Sequence, residues 1–347
     1  MAYTDIDKSD DYFNTKLYSG DSATNQAITG VNFQPDLVWI KARTEVHQHN
    51  LFDVIRGVNK NLSSNLSSAE ATDNQYGYLA SYDTDGFTTQ KGSSSGQWNV
   101  NQTGENYVAW NWLADNTSGS SNTQGSITST VSANTTSGFS IVSFTGTGAT
   151  GTVGHGLGGT PEIYIRKSRT NAENWFVYTT LIDGSVDYLY LNVTDAKANS
   201  GATAPTSTVF EVGAGEALGE DLITYCFRSI KGYSKMGTYT GNGSTDGTMI
   251  VTGMKPAFVM IKRIDSNGNW WIFDNKRDPD NDVTLELGAN LSNAEDGIGS
   301  ASVDFLSNGL KFRTTQSDLN ASGGTYIYMC FAESPFVTST GIPATAR

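Results

Sequence analysis

One pattern occurs three times along the chain, and it limits the fold more than any single motif. Pro35 precedes Leu37-Val38-Trp39-Ile40-Lys41, Pro161 precedes Ile163-Tyr164-Ile165-Arg166-Lys167, and Pro256 precedes Phe258-Val259-Met260-Ile261-Lys262. Each copy is a turn ending in proline, then an apolar run that ends in a basic residue. Proline lacks an N–H and is tolerated where a strand begins. A second block follows each run. Asn174-Trp175-Phe176-Val177-Tyr178 matches Asn269-Trp270-Trp271-Ile272-Phe273-Asp274, and His49-Asn50-Leu51-Phe52-Asp53 is the weaker first copy. Each unit closes on a strong strand pattern: Tyr107–Trp112, Leu222–Phe227 and Tyr326–Phe331. Aligning the three endings places Trp112, Phe227 and Phe331 at one position, 115 and 104 residues apart. A period near 100 residues is too long for a solenoid and suits whole β-sandwich domains.

The expected fold is all-β, with three tandem antiparallel sandwiches of jelly-roll or concanavalin-like type at residues 1–117, 138–231 and 232–337. Asp85-Gly86 and Asn308-Gly309 are tight-turn signals of the kind that join paired strands. Residues 118–137 are rich in Ser, Thr, Gly and Asn and read as a linker, and residues 338–347 read as an extended tail. With no such linker between them, the second and third units are expected to be held more rigidly than the first. Helical turns are expected only near Ser63–Thr72 and Ser292–Asp296.

A formal net charge of −13 argues against binding to nucleic acid or an anionic membrane. No apolar run is long enough to form a membrane-spanning helix, and the N-terminus lacks the basic-then-apolar pattern of a signal peptide. Synthesis in the cytoplasm without export by the usual route is therefore expected. Cys226 and Cys330 both lie in apolar strand-like runs and read as buried thiols, with a disulfide as the alternative.

The repeated motifs resemble those of structural proteins of tailed phages of marine origin, often tail-fibre-like. The resemblance is carried by His155–Ile163, Asn174–Tyr178, Lys255–Arg263, Val303–Gly309 and Tyr328–Phe336. It implies a place in the virion, other virion proteins as partners, and no catalytic residues. A non-enzymatic tail-fibre or receptor-binding component, assembled as a homo-oligomer with a trimer favoured, is the expectation. The candidate ligand is a host cell-surface glycan. A head-decoration or other scaffold protein is the alternative, and an exopolysaccharide hydrolase is a third reading.

Motifs that suggest chemistry have plainer readings. Gly154-His155-Gly156-Leu157-Gly158-Gly159 matches a dinucleotide fingerprint, but a strand, not a helix, is expected after it. Glu45, His47 and His49 alternate and would share a strand face, as a metal site requires, yet they occupy the block where the other units carry Asn-Trp. Asp183, Asp187, Asp278, Asp280 and Asp282 all sit in turn-like sequence, where aspartate caps its own backbone. No catalytic, cofactor or metal residue is therefore assigned. Trp98, alone among Ser, Gly and Gln, is the one candidate ligand or interface residue, because an unsupported aromatic can stack on a sugar or anchor a partner. Trp175 and Trp270 read as shared core positions.

Overall fold

The computed structural model describes residues 3–72, 75–215, 217–295 and 301–345. The first repeat supplies β1 (Phe13–Ser19), β2 (Gln26–Thr29), β3 (Leu37–Ala42), β4 (Asn50–Asp53), β5 (Tyr78–Asp83), β6 (Gly86–Gln90) and β7 (Asn106–Trp112). The next stretch supplies β8 (Ser120–Asn122), β9 (Ser129–Asn134), β10 (Phe139–Thr145), β11 (Gly151–Gly154), β12 (Ile163–Ser168), β13 (Phe176–Thr179), β14 (Asp187–Tyr190), β15 (Ala198–Asn199), β16 (Val209–Val212) and β17 (Asp221–Phe227). The last supplies β18 (Ser234–Thr240), β19 (Met249–Val251), β20 (Met254–Arg263), β21 (Trp270–Asp274), β22 (Leu287–Gly288), β23 (Val303–Leu306), β24 (Gly309–Phe312) and β25 (Thr325–Pro335).

Each repeat makes two facing sheets. In the first, β1-β7-β3-β4 faces β2-β6-β5. In the last, β18-β25-β20-β21-β22 faces β19-β24-β23. The middle repeat carries an eight-stranded sheet, β15-β14-β13-β12-β17-β10-β9-β8, but a covering sheet of only two strands, β11 and β16. The strand registers superimpose. Phe13, Trp112, Leu37 and Asp53 lie in one row, matched by Phe139, Phe227, Ile163 and Thr179, and by Ser234, Phe331, Phe258 and Asp274. Pro35 and Pro161 stand just before their strands, as expected. Pro256 lies inside the longer β20, at a register shift where the missing N–H is tolerated.

Alternation along the strands splits each sheet into two faces. One face packs inside its own sandwich and forms a separate small core in each repeat. The other faces of all three repeats meet in a single core. Trp112, Phe227 and Phe331 touch one another there, with ring centroids 6.3, 5.7 and 6.0 Å apart. The chain is thus folded around a pseudo-threefold axis. Sequence-equivalent residues become spatial neighbours on that axis because each sandwich leaves one apolar sheet face that its own covering sheet cannot bury.

The seams between sandwiches repeat as well. By register, His49, Trp175 and Trp270 occupy one position. The Trp175 Nε1 donates to Ser63 O of the first sandwich at 2.9 Å, and Trp270 Nε1 donates to Tyr190 O of the second at 2.8 Å. His49 closes the ring: its Nε2 donates to Gly288 O of the third sandwich at 2.9 Å, while its Nδ1 accepts the Trp39 indole N–H at 2.8 Å. A backbone bond follows at every seam: Glu70 N to Arg169 O, Glu295 N to Arg43 O and Lys197 N to Ile264 O. Two seams also bury an aspartate–arginine pair, Asp53 with Arg56 and Asp274 with Arg277. Asp53 accepts the Tyr225 hydroxyl at 2.8 Å, and Asp274 accepts the Trp110 indole N–H at 3.0 Å. Thr179 takes the aspartate's place at the third seam, so that pair is missing there.

Several expectations are corrected. Residues 118–137 are not a free linker, because β8 and β9 extend the sheet of the second sandwich next to β10. The first sandwich is not loosely tethered, since it contributes Phe13, Trp39, Trp110 and Trp112 to the shared core. The Ser63–Thr72 stretch is turn and coil, not helix, and Asp296 of the second expected helical turn lies outside the described residues. The short helices are at Ser9–Asp11 and Ser317–Asn320. The described part of the tail turns back, with Val337 bridging Pro343 and Ala344 N donating to Phe336 O at 2.8 Å.

Candidate functional site

Basic residues expected at the ends of the central strands end up inside. Lys41, Lys167 and Lys262 are equivalent in register, face inward and are buried. The Lys41 ammonium donates to Ala42 O at 2.6 Å, Lys167 to Ser168 O at 2.8 Å and Lys262 to Thr194 O of the neighbouring sandwich at 3.2 Å. Burial pushes Lys41 down to about 7 and Lys167 and Lys262 down to about 8. All three are pinned to backbone carbonyls, and Lys262 is pinned across a seam.

The other motifs resolve in the same way. Gly154–Gly159 is a turn leaving β11. His155 there stacks on Phe210 with 12° between ring planes, and its Nδ1 accepts the Leu157 N–H at 3.2 Å. His49 is buried between Trp39 and Gly288, and burial pushes its imidazole down to about 3. His47 lies away from it, beside Trp98 and Glu105. Asp183 accepts from Ser185 and pairs with Lys197, which also reaches Asp187 at 2.8 Å. Asp278 accepts Thr284 N at 2.8 Å, and Asp282 accepts the Ser302 hydroxyl. Among the described residues no three His, Cys, Asp or Glu side chains gather as metal ligands. Cys226 and Cys330 are free and buried in different sandwiches. Trp98 is 38% exposed; its ring leans on Tyr76 at 5.1 Å and His47 at 5.8 Å, so it forms part of a surface cluster.

The feature that sequence reasoning missed is in the second sandwich. Where the first and third repeats return a third covering strand (β5, β23), the middle repeat sends its chain into β14 and β15, which widen the main sheet instead. The outer face of β13 is therefore left partly uncovered. At one register position Phe52 and Phe273 are fully buried, whereas Tyr178 is only partly buried. A cleft of about 300 Å³ opens there. Its floor is Phe176 and Tyr178, whose rings lie 5.6 Å apart and 9° from parallel. Tyr190 and Tyr188 back them across the β13–β14 pair. Arg166 forms the inner end, with its guanidinium 4.9 Å from the Tyr178 ring and 5.1 Å from Phe210. Polar groups of Ser168, Glu173, Asn174 and Ser200 and the small residues Gly201, Ala202, Gly213 and Gly215 complete the walls. The doubled aromatics of Asp187-Tyr188-Leu189-Tyr190, with no counterpart in the other repeats, were the available sequence signal.

These features define an all-β protein of sandwich sheets with a mixed aromatic and polar cleft on one of them. Residues 8–335 match the family described as a domain of unknown function, DUF7483, and the chain belongs to that family. No curated protein and no solved structure matches it.

Proposed function

We propose that the chain is a non-enzymatic structural component of a tailed-phage virion, acting in adhesion as a tail-fibre or receptor-binding part. One observation carries this reading: the residues that the repeats share, Trp112, Phe227, Phe331, Trp175 and Trp270, all serve the common core and its seams. Duplication here built one shared core, while the middle sandwich leaves part of a sheet face uncovered. Such a division suits a part that holds its shape while presenting a surface. The resemblance of the repeated motifs to those of phage structural proteins suggests the setting, with other virion proteins as partners.

The chain is proposed to assemble as a homo-oligomer, with a trimer favoured. Oligomeric state can be read by light scattering on the purified protein. Gold-labelled antibody against the chain tests location: label on tails, together with blocking of adsorption by the soluble protein, supports the reading. Label confined to heads favours the decoration alternative, and label absent from virions overturns both.

A further inference from the structure

We infer that the open edge of β19, in the third sandwich, is a contact between two copies of this chain, which pair their β19 strands antiparallel about a twofold axis through Ile250. The inference goes beyond the adhesion reading and does not depend on it: it names a surface through which copies of the chain meet.

The edge is open and its backbone is turned outward. β19 is the last strand of its covering sheet and pairs on one side only, with β24. Thr252 N donates to Asn308 O at 3.0 Å and Phe312 N to Thr248 O at 3.1 Å, so the even-numbered residues of this stretch face β24. In an antiparallel ladder the alternate residues turn their N–H and C=O the other way. Those residues are Met249 and Val251, and among the described residues no strand or bridge pairs with that side. Their side chains are outside as well: Met249 is 44% exposed and Val251 64%, with buried Ile250 between them.

The sister repeats show that this edge accepts a further strand. Its counterpart in the second sandwich is β11, with Val153 as the buried centre. There Ile127 bridges Val153, Thr152 O accepts the Ile127 N–H at 2.9 Å, and Thr152 N donates to Ser126 Oγ at 2.9 Å. Thr152 precedes its buried centre as Met249 precedes Ile250, so the groups satisfied in β11 are those left open in β19. The counterpart in the first sandwich, β2, presents Ala27 and Thr29 around Ile28, where β19 has Met249 and Val251 around Ile250. The outermost main-sheet strands β1 and β18 carry Lys16 and Lys235, a residue type that discourages edge pairing. β19 has no such guard.

The sequence of the edge selects a second copy as its occupant. Thr248-Met249-Ile250-Val251-Thr252 has the same character read from either end: threonine, an apolar residue, the central isoleucine, an apolar residue, threonine. A copy turned about Ile250 sets Met249 against Val251 of the partner subunit, and Val251 against the partner's Met249. Each pair exchanges two backbone hydrogen bonds and brings its side chains together on the outer face. The two covering sheets then run on as one sheet of six strands. Charge permits the approach on a chain of net charge −13. The strand itself is uncharged, Lys311 opposite Met249 pairs with Asp246, and Asp304 pairs with Arg313, so the patch is locally balanced. Such a contact closes with two copies, and a threefold contact through another surface would carry the assembly to six.

Sedimentation velocity of the full chain, from micromolar to submillimolar concentration, tests the pairing. Wild type is expected to associate with a dissociation constant of about 1–100 μM, weak because the contact is small. Met249→Lys/Val251→Lys sets lysine against lysine in both pairs without touching the core, and should halve the assembled mass. Met249→Glu/Val251→Lys sets opposite charges across the same pairs and should restore association. Hydrogen exchange in residues 248–252 of wild type should slow as concentration rises, a readout that needs no variant. A wild type that stays monomeric, or an assembled mass that Met249→Lys/Val251→Lys leaves unchanged, would overturn the contact. Exchange in residues 248–252 that ignores concentration would overturn it too, even if the lysine variant melts early. Loss in the lysine variant without recovery in Met249→Glu/Val251→Lys would overturn the twofold register. None of these outcomes bears on the adhesion reading, which label on the virion decides separately.

Discussion

Replacing Trp112 with alanine should weaken all three sandwiches at once, although Trp112 belongs to the first. The side chain is buried on the pseudo-threefold axis. Its ring lies 5.0 Å from Phe13 of its own sandwich, 6.5 and 6.3 Å from Phe139 and Phe227 of the second, and 6.0 and 5.7 Å from Phe258 and Phe331 of the third. Truncating a buried tryptophan costs about 3–5 kcal/mol, combining lost transfer energy with the cavity left behind. The surrounding residues sit on paired strands of three different sheets, so they cannot close in without disturbing every sandwich. Hydrogen exchange by mass spectrometry reads the consequence by segment. Protection in Phe139–Thr145 and Thr325–Pro335 should fall by roughly two to three orders of magnitude, in step with Phe13–Ser19, as one cooperative unit. Loss of protection confined to residues 13–112, with the other two segments unchanged, would show that the sandwiches fold independently and that the shared core is only a contact surface.

Arg277→Ala leaves Asp274 buried without its cation, and Glu295 with Arg43 alone, and should lower stability by about 3–5 kcal/mol in urea melts, whereas Asp274→Leu/Arg277→Met should recover most of it. His49 contributes a pH dependence of known sign. Its folded pKa of about 3 lies below the unfolded value of about 6.5, so its contribution is complete above pH 6.5 and shrinks as pH falls toward 3. This group alone should cost about 2 kcal/mol between pH 7 and 5, and this part of the pH dependence should be lost in His49→Leu. Burial pushes the Cys226 thiol up to about 12 and raises Cys330 as well. Neither should react with a thiol reagent at pH 8 in the native protein, and both should react in denaturant; a fast-reacting native thiol would contradict their placement.

Much of the fold was legible in the chain because the signals were local and repeated. Alternating apolar residues, Asp-Gly and Asn-Gly turns, and the three matched strand endings gave all-β sandwiches and placed Trp112, Phe227 and Phe331 at one position. Composition misled at residues 118–137. Ser- and Thr-rich sequence has little apolar content, yet Val131 on β9 and Ile127 before it are enough to join the second sandwich's core, and β8 pairs by backbone with the edge that β9 makes. Of the candidate site, the sequence supplied the aromatics of β13 but not their exposure.

What the sequence determined by itself is the repeating unit: its strand pattern, its turns and which of its positions are equivalent. Tertiary structure alone decided that equivalent positions meet on an axis, that the strand-end lysines are buried, and that Tyr178 faces a cleft while Phe52 and Phe273 do not. The reason is that pleat alternation is written within each strand, whereas burial depends on what packs over that face, and the covering element comes from a distant part of the chain.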